Sequence, residues 1–171
     1  MAAIPASAGP VGVTVRDLTP LDRPTVRDML MDCGAFSEAE IRVALEMVDA
    51  GFAGDYTLLG VEVDGLVRGY ACAGPAHLTA SSWYLYWICV DRRAQGAGIG
   101  CALQERLEDL VRTLGGERLV LETSGRTEYA RARRFYHAAG FVEGGRIPDF
   151  YGPGDDCHVY YKQLGAKGTA P

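Results

Sequence analysis

The sequence predicts a single α/β domain with a mixed, mostly antiparallel central sheet flanked by about four helices. Segments with strand character come in pairs near both ends, and a strand–helix–strand–helix succession lies between them. Such an order makes some strands parallel and the others antiparallel. A length of 171 residues, with 48% hydrophobic and 23% charged residues, suits one domain with a sizeable core. We assign this domain to residues 12–164 and expect flexible tails at residues 1–11 and 165–171.

Composition excludes several functional classes. A net charge of −5 argues against a general nucleic-acid binder, which needs a dominant basic surface. The five cysteines form no C-x-x-C pair, so they predict neither a disulfide framework nor a metal site and fit a cytoplasmic protein. The start of the chain lacks the charged segment and apolar run of a signal peptide, and no later segment resembles a membrane span. We therefore expect a cytoplasmic protein without nucleic-acid or membrane partners.

The first elements are a strand and two helices. Residues 11–18 alternate apolar and polar side chains, which predicts a short strand. Thr19-Pro20 is a typical start of a helix. Ser37 and Glu40 have the spacing of a capping box for a second helix, which we expect to end at Gly51.

A hairpin and a buried strand are predicted next. Residues 56–63 and 66–73 have strand character and are joined by Asp64-Gly65, a dipeptide that tight hairpin turns favour. Residues 83–90 are mostly aromatic or β-branched and carry no charge. This composition predicts a strand that is buried on both faces.

A glycine-rich turn at residues 95–100 follows that strand and precedes an amphipathic helix. Apolar residues recur at three- and four-residue steps as far as Leu114, which predicts the buried side of the helix. The predicted solvent side contains charged residues: Glu105, Arg106, Glu108, Asp109 and Arg112. Glycines allow a ligand to approach the backbone, and the unpaired N–H groups of a first helical turn attract anions. The segment therefore predicts a binding site for phosphate groups.

The C-terminal part should contain three strands and a helix. Residues 117–123 read as a buried strand, and residues 129–139 as a helix. Residues 141–147 and 157–164 are expected to pair as closing strands. Proline, glycine and aspartate residues predict a long loop between them, at residues 148–156.

The glycine-rich turn has three interpretations. It could be a tight connection without a ligand. It could also bind a dinucleotide, with Glu122 near the position of the ribose-binding acid, but Cys101 stands where the last glycine of G-x-G-x-x-G is required. The third interpretation is a site for the pyrophosphate of an acyl-coenzyme A.

Two motifs favour the third interpretation. Gln95 to Gly100 fits the pattern Q/R-x-x-G-x-G/A, and one buried strand later the chain reads Ala132-x-x-Phe135-Tyr136-x-x-x-Gly140-Phe141. In this order the two motifs resemble the GNAT superfamily of acyl-CoA-dependent N-acetyltransferases, over residues 56–164. The resemblance implies a GNAT-like fold, acetyl-CoA as the acyl donor, and a splayed parallel pair formed by residues 83–90 and 117–123.

The resemblance also implies which residues bind the coenzyme. They lie on the first splayed strand, in the glycine-rich turn and on the later helix: Ile88, Cys89, Val90, Arg93, Gln95, Gly96, Ala97, Gly98, Ile99, Gly100, Ala132 and Phe135. The chain departs from the family at Tyr129, where the second motif usually begins with an asparagine. We therefore assign no coenzyme contact to Tyr129.

Acetyl transfer to an amine requires a proton acceptor, donors for the oxyanion and a proton for the departing thiolate. The resemblance gives Tyr136 the role of general acid, for which a phenol with a pKa of about 10 is suited. Without that resemblance, Tyr136 would read as a core tyrosine. Glu122, at the end of a predicted splayed strand, is the candidate base, although it could equally serve as an ion-pair partner. Backbone N–H groups near Ile88 to Val90 are the expected oxyanion donors.

Aromatic and acidic residues are candidates for binding the acceptor: Tyr86, Trp87, Asp149 and Tyr151. Together they would suit a cationic amine, although aspartates in such a turn often bond their own backbone instead. The sequence thus predicts transfer of acetyl to a primary amine, of an amino acid or polyamine-like molecule. Two alternatives stay open, a non-catalytic acyl-CoA sensor and a nicotinamide-dependent oxidoreductase. The exposed edges of sheets of this kind make a homodimer a further hypothesis.

Overall fold

A computed structural model describes residues 12–165, which contain four α-helices and seven strands. In chain order these are β1 (Val13–Asp17), α1 (Arg23–Cys33), α2 (Glu38–Ala53), β2 (Thr57–Val63), β3 (Leu66–Pro75), β4 (Ser82–Val90), α3 (Ile99–Thr113), β5 (Arg118–Ser124), α4 (Ala130–Ala138), β6 (Val142–Gly152) and β7 (Asp155–Gln163). The predicted tails at residues 1–11 and 165–171 lie outside the described residues, except for Gly165.

The strands form one mixed sheet in the order β1-β2-β3-β4-β5-β7-β6. Strands β4 and β5 are parallel, whereas the β1–β2, β2–β3, β5–β7 and β6–β7 pairs are antiparallel. The parallel ladder runs from Ser82↔Arg118 to Tyr84↔Val120, and β4 and β5 continue to Val90 and Ser124. The predicted fold class, with its splayed parallel pair, is confirmed. Within residues 12–165 no helix combines the length and apolar character needed to cross a membrane.

The chain divides into two compact units. Among the described residues the first unit comprises 12–74 and 87–107, and the second comprises 75–86 and 108–165. Strand β4 and helix α3 each contribute to both units.

The core of the first unit lies between α1, α2 and the strands β2 to β4. Val26 and Leu30 of α1 and Val48 of α2 are fully buried there together with Tyr70. The predicted capping box of α2 is confirmed, since the backbone N–H of Ser37 donates to the Glu40 carboxylate at 2.7 Å.

Helix α2 does not end at Gly51, as the sequence predicts, but continues to Ala53. Gly54, with φ 105°, follows the last turn. A Cβ atom at Gly51 would lie 2.6 Å from the side chain of Leu58. The absence of a side chain at this position therefore allows α2 to pack closely on β2, and it does not terminate the helix.

The hairpin between β2 and β3 forms as predicted. Asp64 and Gly65 have φ of 51° and 78°, the left-handed conformation at both central residues of a type I′ turn. Strand β4 is not buried on both faces, as its apolar sequence predicts. Its burial alternates instead, because Trp83 and Leu85 are buried and the intervening Tyr84 is partly exposed.

In the second unit, the C-terminal half of α3 carries an ion-pair cluster around one buried carboxylate. The sequence predicts Glu108 on the solvent side of the helix, but its exposed fraction is only 5%. The ammonium of Lys162 lies 2.5 Å from the Glu108 carboxylate, and Arg112 lies 3.1 Å from it. These two cations make the burial of the carboxylate possible, because a buried charge requires partners.

The prediction of a long loop at residues 148–156 is wrong. Strand β6 continues to Gly152 and β7 begins at Asp155, so the segment is a bulged hairpin. The register shifts between Ile147 and Gly152, where Asp149 has a φ of 53°. A bulge on an edge strand accepts the proline and glycine residues that indicated a loop.

Candidate active site

The glycine-rich turn leaves its backbone accessible at the start of α3. Gly96 and Gly98 have φ of 89° and 78°, and a Cβ atom at either position would have no heavy atom within 4 Å. The N–H of Ala102 donates to the carbonyl of Gly98 at 3.0 Å, which is the first turn of the helix. The N–H groups that precede it have no intrahelical partner and lie at the positive end of the helix dipole. The geometry suits an anionic group.

A cluster of hydrogen bonds fixes the strand end that precedes this turn. The Gln95 side chain donates to the carbonyl of Val90 at 3.1 Å. The Asp91 carboxylate accepts from the backbone N–H of Arg93 at 2.9 Å and from the guanidinium of Arg68 at 2.7 Å. Both bonds lower the pKa of Asp91, which keeps the carboxylate ionised. Sequence patterns give no sign of this support, because Arg68 belongs to β3.

The end of β4 is packed closely against β3. A Cβ atom at Gly69 would lie 3.1 Å from Ile99 and 3.3 Å from the carbonyl of Cys89. Cys89 is buried, whereas Ile88 and Val90 are partly exposed. The strand segment predicted to supply oxyanion donors is therefore held by β3 on one side.

Tyr136 lies within an aromatic cluster of the second unit. Its side chain is 8% exposed, and its ring centroid is 5.7 Å from that of Phe135 and 5.9 Å from those of Phe141 and Tyr160. Ala132 and Phe135, also on α4, are partly exposed. Tyr129 is the residue that departs from the family motif. The Arg126 guanidinium lies 5.4 Å from the centroid of its ring.

Glu122 is exposed on β5 and has a phenol as its neighbour. The hydroxyl of Tyr84 donates to the Glu122 carboxylate at 3.4 Å. Burial raises the pKa of Tyr84, and the charge of Glu122 raises it further. Tyr84 in turn stacks on Tyr86, with 5.6 Å between ring centroids. A solvated carboxylate of this kind can accept a proton from an approaching amine.

The four predicted acceptor-binding residues have different surroundings. In the first unit, the Trp87 indole donates to the sulfur of Met47 at 3.2 Å and contacts the ring of Phe36. In the second unit, Tyr86 belongs to the stacked tyrosine pair, and the half-exposed Tyr151 donates to the sulfur of Cys157 at 3.6 Å.

Asp149 is engaged in the β6–β7 hairpin. Its carboxylate accepts from the N–H of Gly154 at 2.6 Å, and its own N–H donates to the Asp156 carboxylate at 2.8 Å. These bonds are the self-bonding of turn aspartates that the sequence left as an alternative.

The model of a family described as the acetyltransferase (GNAT) family matches residues 23–141. A solved structure of a Desulfovibrio desulfuricans protein assigned to the GNAT family of acetyltransferases is 37% identical in sequence. It has a TM-score of 0.85, and the alignment covers 90% of this chain and 99% of that chain.

Two curated relatives are similar over shorter regions. An uncharacterized N-acetyltransferase of Methanocaldococcus jannaschii is 31% identical over 106 residues, 60% of this chain and 63% of the relative. The mycothiol acetyltransferase of Beutenbergia cavernae is 39% identical over 78 residues, 40% of this chain and 26% of the relative. The chain thus spans less than two thirds of the length of either relative.

Proposed function

The chain belongs to the acetyltransferase (GNAT) family, and on this basis we propose that it transfers acetyl from acetyl-CoA to a primary amine of a small molecule. The observation that carries the proposal is the open glycine-rich turn before α3. Gly96 and Gly98 leave the space beside the backbone free, and the N-terminal amides of α3 supply donors for a pyrophosphate.

In the proposed mechanism the amine attacks the thioester carbonyl directly. Glu122 accepts the proton of the amine, for which its exposed carboxylate is suited. Backbone N–H groups of Ile88 to Val90 stabilise the oxyanion, and Tyr136 donates a proton to the departing thiolate. Arg93, Ala132 and Phe135 complete the proposed coenzyme contacts.

The proposed acceptor contacts are aromatic. Tyr86, Trp87 and Tyr151 each expose part of a ring, which suits the carbon skeleton of a small amine and its charge. Asp149 would contribute by fixing the conformation of the β6–β7 hairpin, since its carboxylate accepts a hydrogen bond from the N–H of Gly154. One curated relative is named for mycothiol and not for a protein, which supports a small acceptor.

A second candidate function is a non-catalytic acyl-CoA sensor. The burial of Tyr136 among aromatic rings favours it, because a general acid must reach the leaving thiolate. Both candidates require coenzyme binding, and only the enzyme releases a thiol.

The proposal also includes a cytoplasmic location and a homodimeric assembly. All five cysteines are free thiols, which supports a reducing compartment such as the cytoplasm. The edge strand β6 exposes Val142, Ile147 and Phe150, which supports a homodimer. Light scattering after size-exclusion chromatography measures the oligomeric state.

The first test is calorimetric titration with acetyl-CoA, coenzyme A and NADH at one ionic strength. Micromolar binding of both coenzyme A forms, without NADH binding, is expected. Gly98→Ala should weaken that binding by about tenfold, because a methyl group then occupies the open space. Gly65→Ala is the matched control, since Gly65 has the same φ of 78° and equally open space. Binding of NADH alone, or equal behaviour of the two variants, would contradict the proposal.

The second test separates the enzyme from the sensor. Release of free coenzyme A thiol is followed with a panel of amino acids, polyamines and aminosugars. Amine-dependent release with a mass increase of one acetyl group on the amine supports the enzyme. Tight acetyl-CoA binding without release across the panel supports the sensor.

A further inference from the structure

The edge strand β6 contributes no side chain to the core. Every residue from Val142 to Tyr151 is exposed, and the exposed fractions of Val142 and Ile147 are 55% and 47%. Within residues 12–165, β6 pairs only with β7, so the backbone groups on its outer side have no strand to bond. The other edge strand, β1, has five residues and buries Val15. Strand β6 is therefore the edge at which a further strand can pair.

The second half of β6 is protected against such pairing. Pro148 has no N–H group to donate, and the register shift between Ile147 and Gly152 bends the strand beyond that point. The segment that can accept another strand is residues 142–147, which read Val-Glu-Gly-Gly-Arg-Ile.

The two apolar side chains of this segment lie on one face of the sheet. Val142 pairs with Tyr161 of β7, and Ile147 pairs with Cys157. These two partners are four positions apart on β7, where side chains alternate between the faces, so they share a face. Val142 and Ile147 therefore share it too, and the bulge after Glu143 makes this possible.

The two charged side chains of the segment lie on the opposite face. Glu143 pairs with Tyr160 of β7, and Arg146 pairs with His158. Glu143 lies 3.0 Å from the His158 ring, and Arg146 donates to Asp156 at 2.6 Å. The exposed fractions of the Glu143 and Arg146 side chains are 37% and 60%, so both charges remain accessible from outside.

The segment is complementary to a second copy of itself in antiparallel orientation. In one register Glu143 faces Arg146 of the second copy, and Val142 faces Ile147 of the second copy. The two central glycines then face each other, and residues without side chains allow two backbones to approach closely. A shift by one residue would place Val142 opposite Arg146 instead, so the charges and the apolar side chains select the register.

We propose that residues 142–147 form a homodimer interface, in which β6 pairs antiparallel with β6 of a second copy around a two-fold axis. The interface rests on the homodimer that the proposed function includes, and it specifies the surface and the register. Each contact occurs twice, because the two-fold axis repeats it. Neither Glu143 nor Arg146 has a role in the proposed acetyl transfer, so the interface can be tested apart from activity.

The test is charge reversal, with the oligomeric state measured by light scattering after size-exclusion chromatography at several protein concentrations. We expect the parent to be a dimer. Arg146→Glu and Glu143→Arg should each raise the dissociation constant of the dimer by about tenfold or more, because like charges then face each other. Glu105→Arg is the matched control, since Glu105 is exposed on α3 and lies outside β6. This control should keep the parental dissociation constant.

An equal mixture of the two single variants tests the register. Each reversal also removes a pair within its own chain, and a chain that merely folds poorly would stay monomeric in the mixture. In a mixed dimer every glutamate of the segment faces an arginine again, so mixing should restore the dimer. The double variant Glu143→Arg/Arg146→Glu should dimerise for the same reason.

The possible failures are distinguishable. A monomeric parent would overturn both this interface and the homodimer. A dimer that tolerates the single reversals, or variants that mixing does not restore, would overturn this interface alone. Acetyl-CoA binding and thiol release, measured on the same samples, report separately on the proposed acetyl transfer.

Discussion

The Tyr84 hydroxyl and the Glu122 carboxylate are hydrogen-bonded between two parallel strands, with 3.4 Å between donor and acceptor oxygens. This distance is long for a bond between a hydroxyl and a carboxylate, so the phenol contributes little to holding the carboxylate. If Glu122 is the base, the charge of its carboxylate contributes more to catalysis than its hydrogen bond to Tyr84.

Glu122→Gln should therefore lower kcat/KM for the amine by about a hundredfold at neutral pH, because a general base contributes about that much. Tyr84→Phe should have a much smaller effect, since it keeps the carboxylate. The loss in Glu122→Gln should shrink at alkaline pH, where the amine is already neutral. Steady-state kinetics over a range of pH measure kcat/KM of both variants. The affinity for acetyl-CoA, measured by calorimetry, is the control. An equal loss in both variants would assign Glu122 to the hydrogen bond instead.

Tyr136→Phe should reduce kcat by about tenfold or more, because the thiolate loses its proton donor. The ring remains, so packing against Phe141 and Tyr160 is preserved. Tyr160→Phe is the matched control, since it removes another hydroxyl from the same cluster, one that lies 3.4 Å from His137. The control should retain kcat, and acetyl-CoA affinity should be unchanged in both variants. Unchanged turnover in Tyr136→Phe would remove Tyr136 from the mechanism.

Local patterns in the sequence predict the local features of the fold. The capping box of Ser37 and Glu40 and the turn at Asp64-Gly65 depend on residues a few positions apart. The position of the glycine-rich turn before α3 is predictable for the same reason. The structure has each of these elements at its predicted position.

Features that depend on distant partners are not predictable from local patterns. The burial of Glu108 requires Lys162, which joins it only through the tertiary fold. Gly51 reads as a helix end because the approach of Leu58 is not visible in the sequence. The support of Asp91 by Arg68 depends in the same way on the packing of neighbouring strands. Strand pairing and helix packing, and not propensity, decide these positions.

Glu108→Ala should destabilise the protein by about 3 kcal/mol, because it removes a buried carboxylate and leaves the partly buried ammonium of Lys162 without its anion. Asp109→Ala is the matched control on the same helix, since the Asp109 side chain is half exposed and its pair with Arg112 is on the surface. The control should change the free energy of unfolding by less than about 1 kcal/mol. Urea denaturation measures both, and equal effects would contradict a structural role for the buried pair.

The Arg16–Asp22 pair should make stability depend on acid pH. The guanidinium of Arg16 donates to Asp22 at 2.8 Å and lowers the pKa of the Asp22 carboxyl to about 2. A depressed carboxyl pKa stabilises the folded state above the unfolded-state pKa of about 3.9, and this stabilisation is lost as pH falls toward 2. Asp22→Asn should therefore be less stable than the parent at pH 7, and the difference should narrow below pH 4. Asp28→Asn, at an exposed pair, should show little difference at either pH.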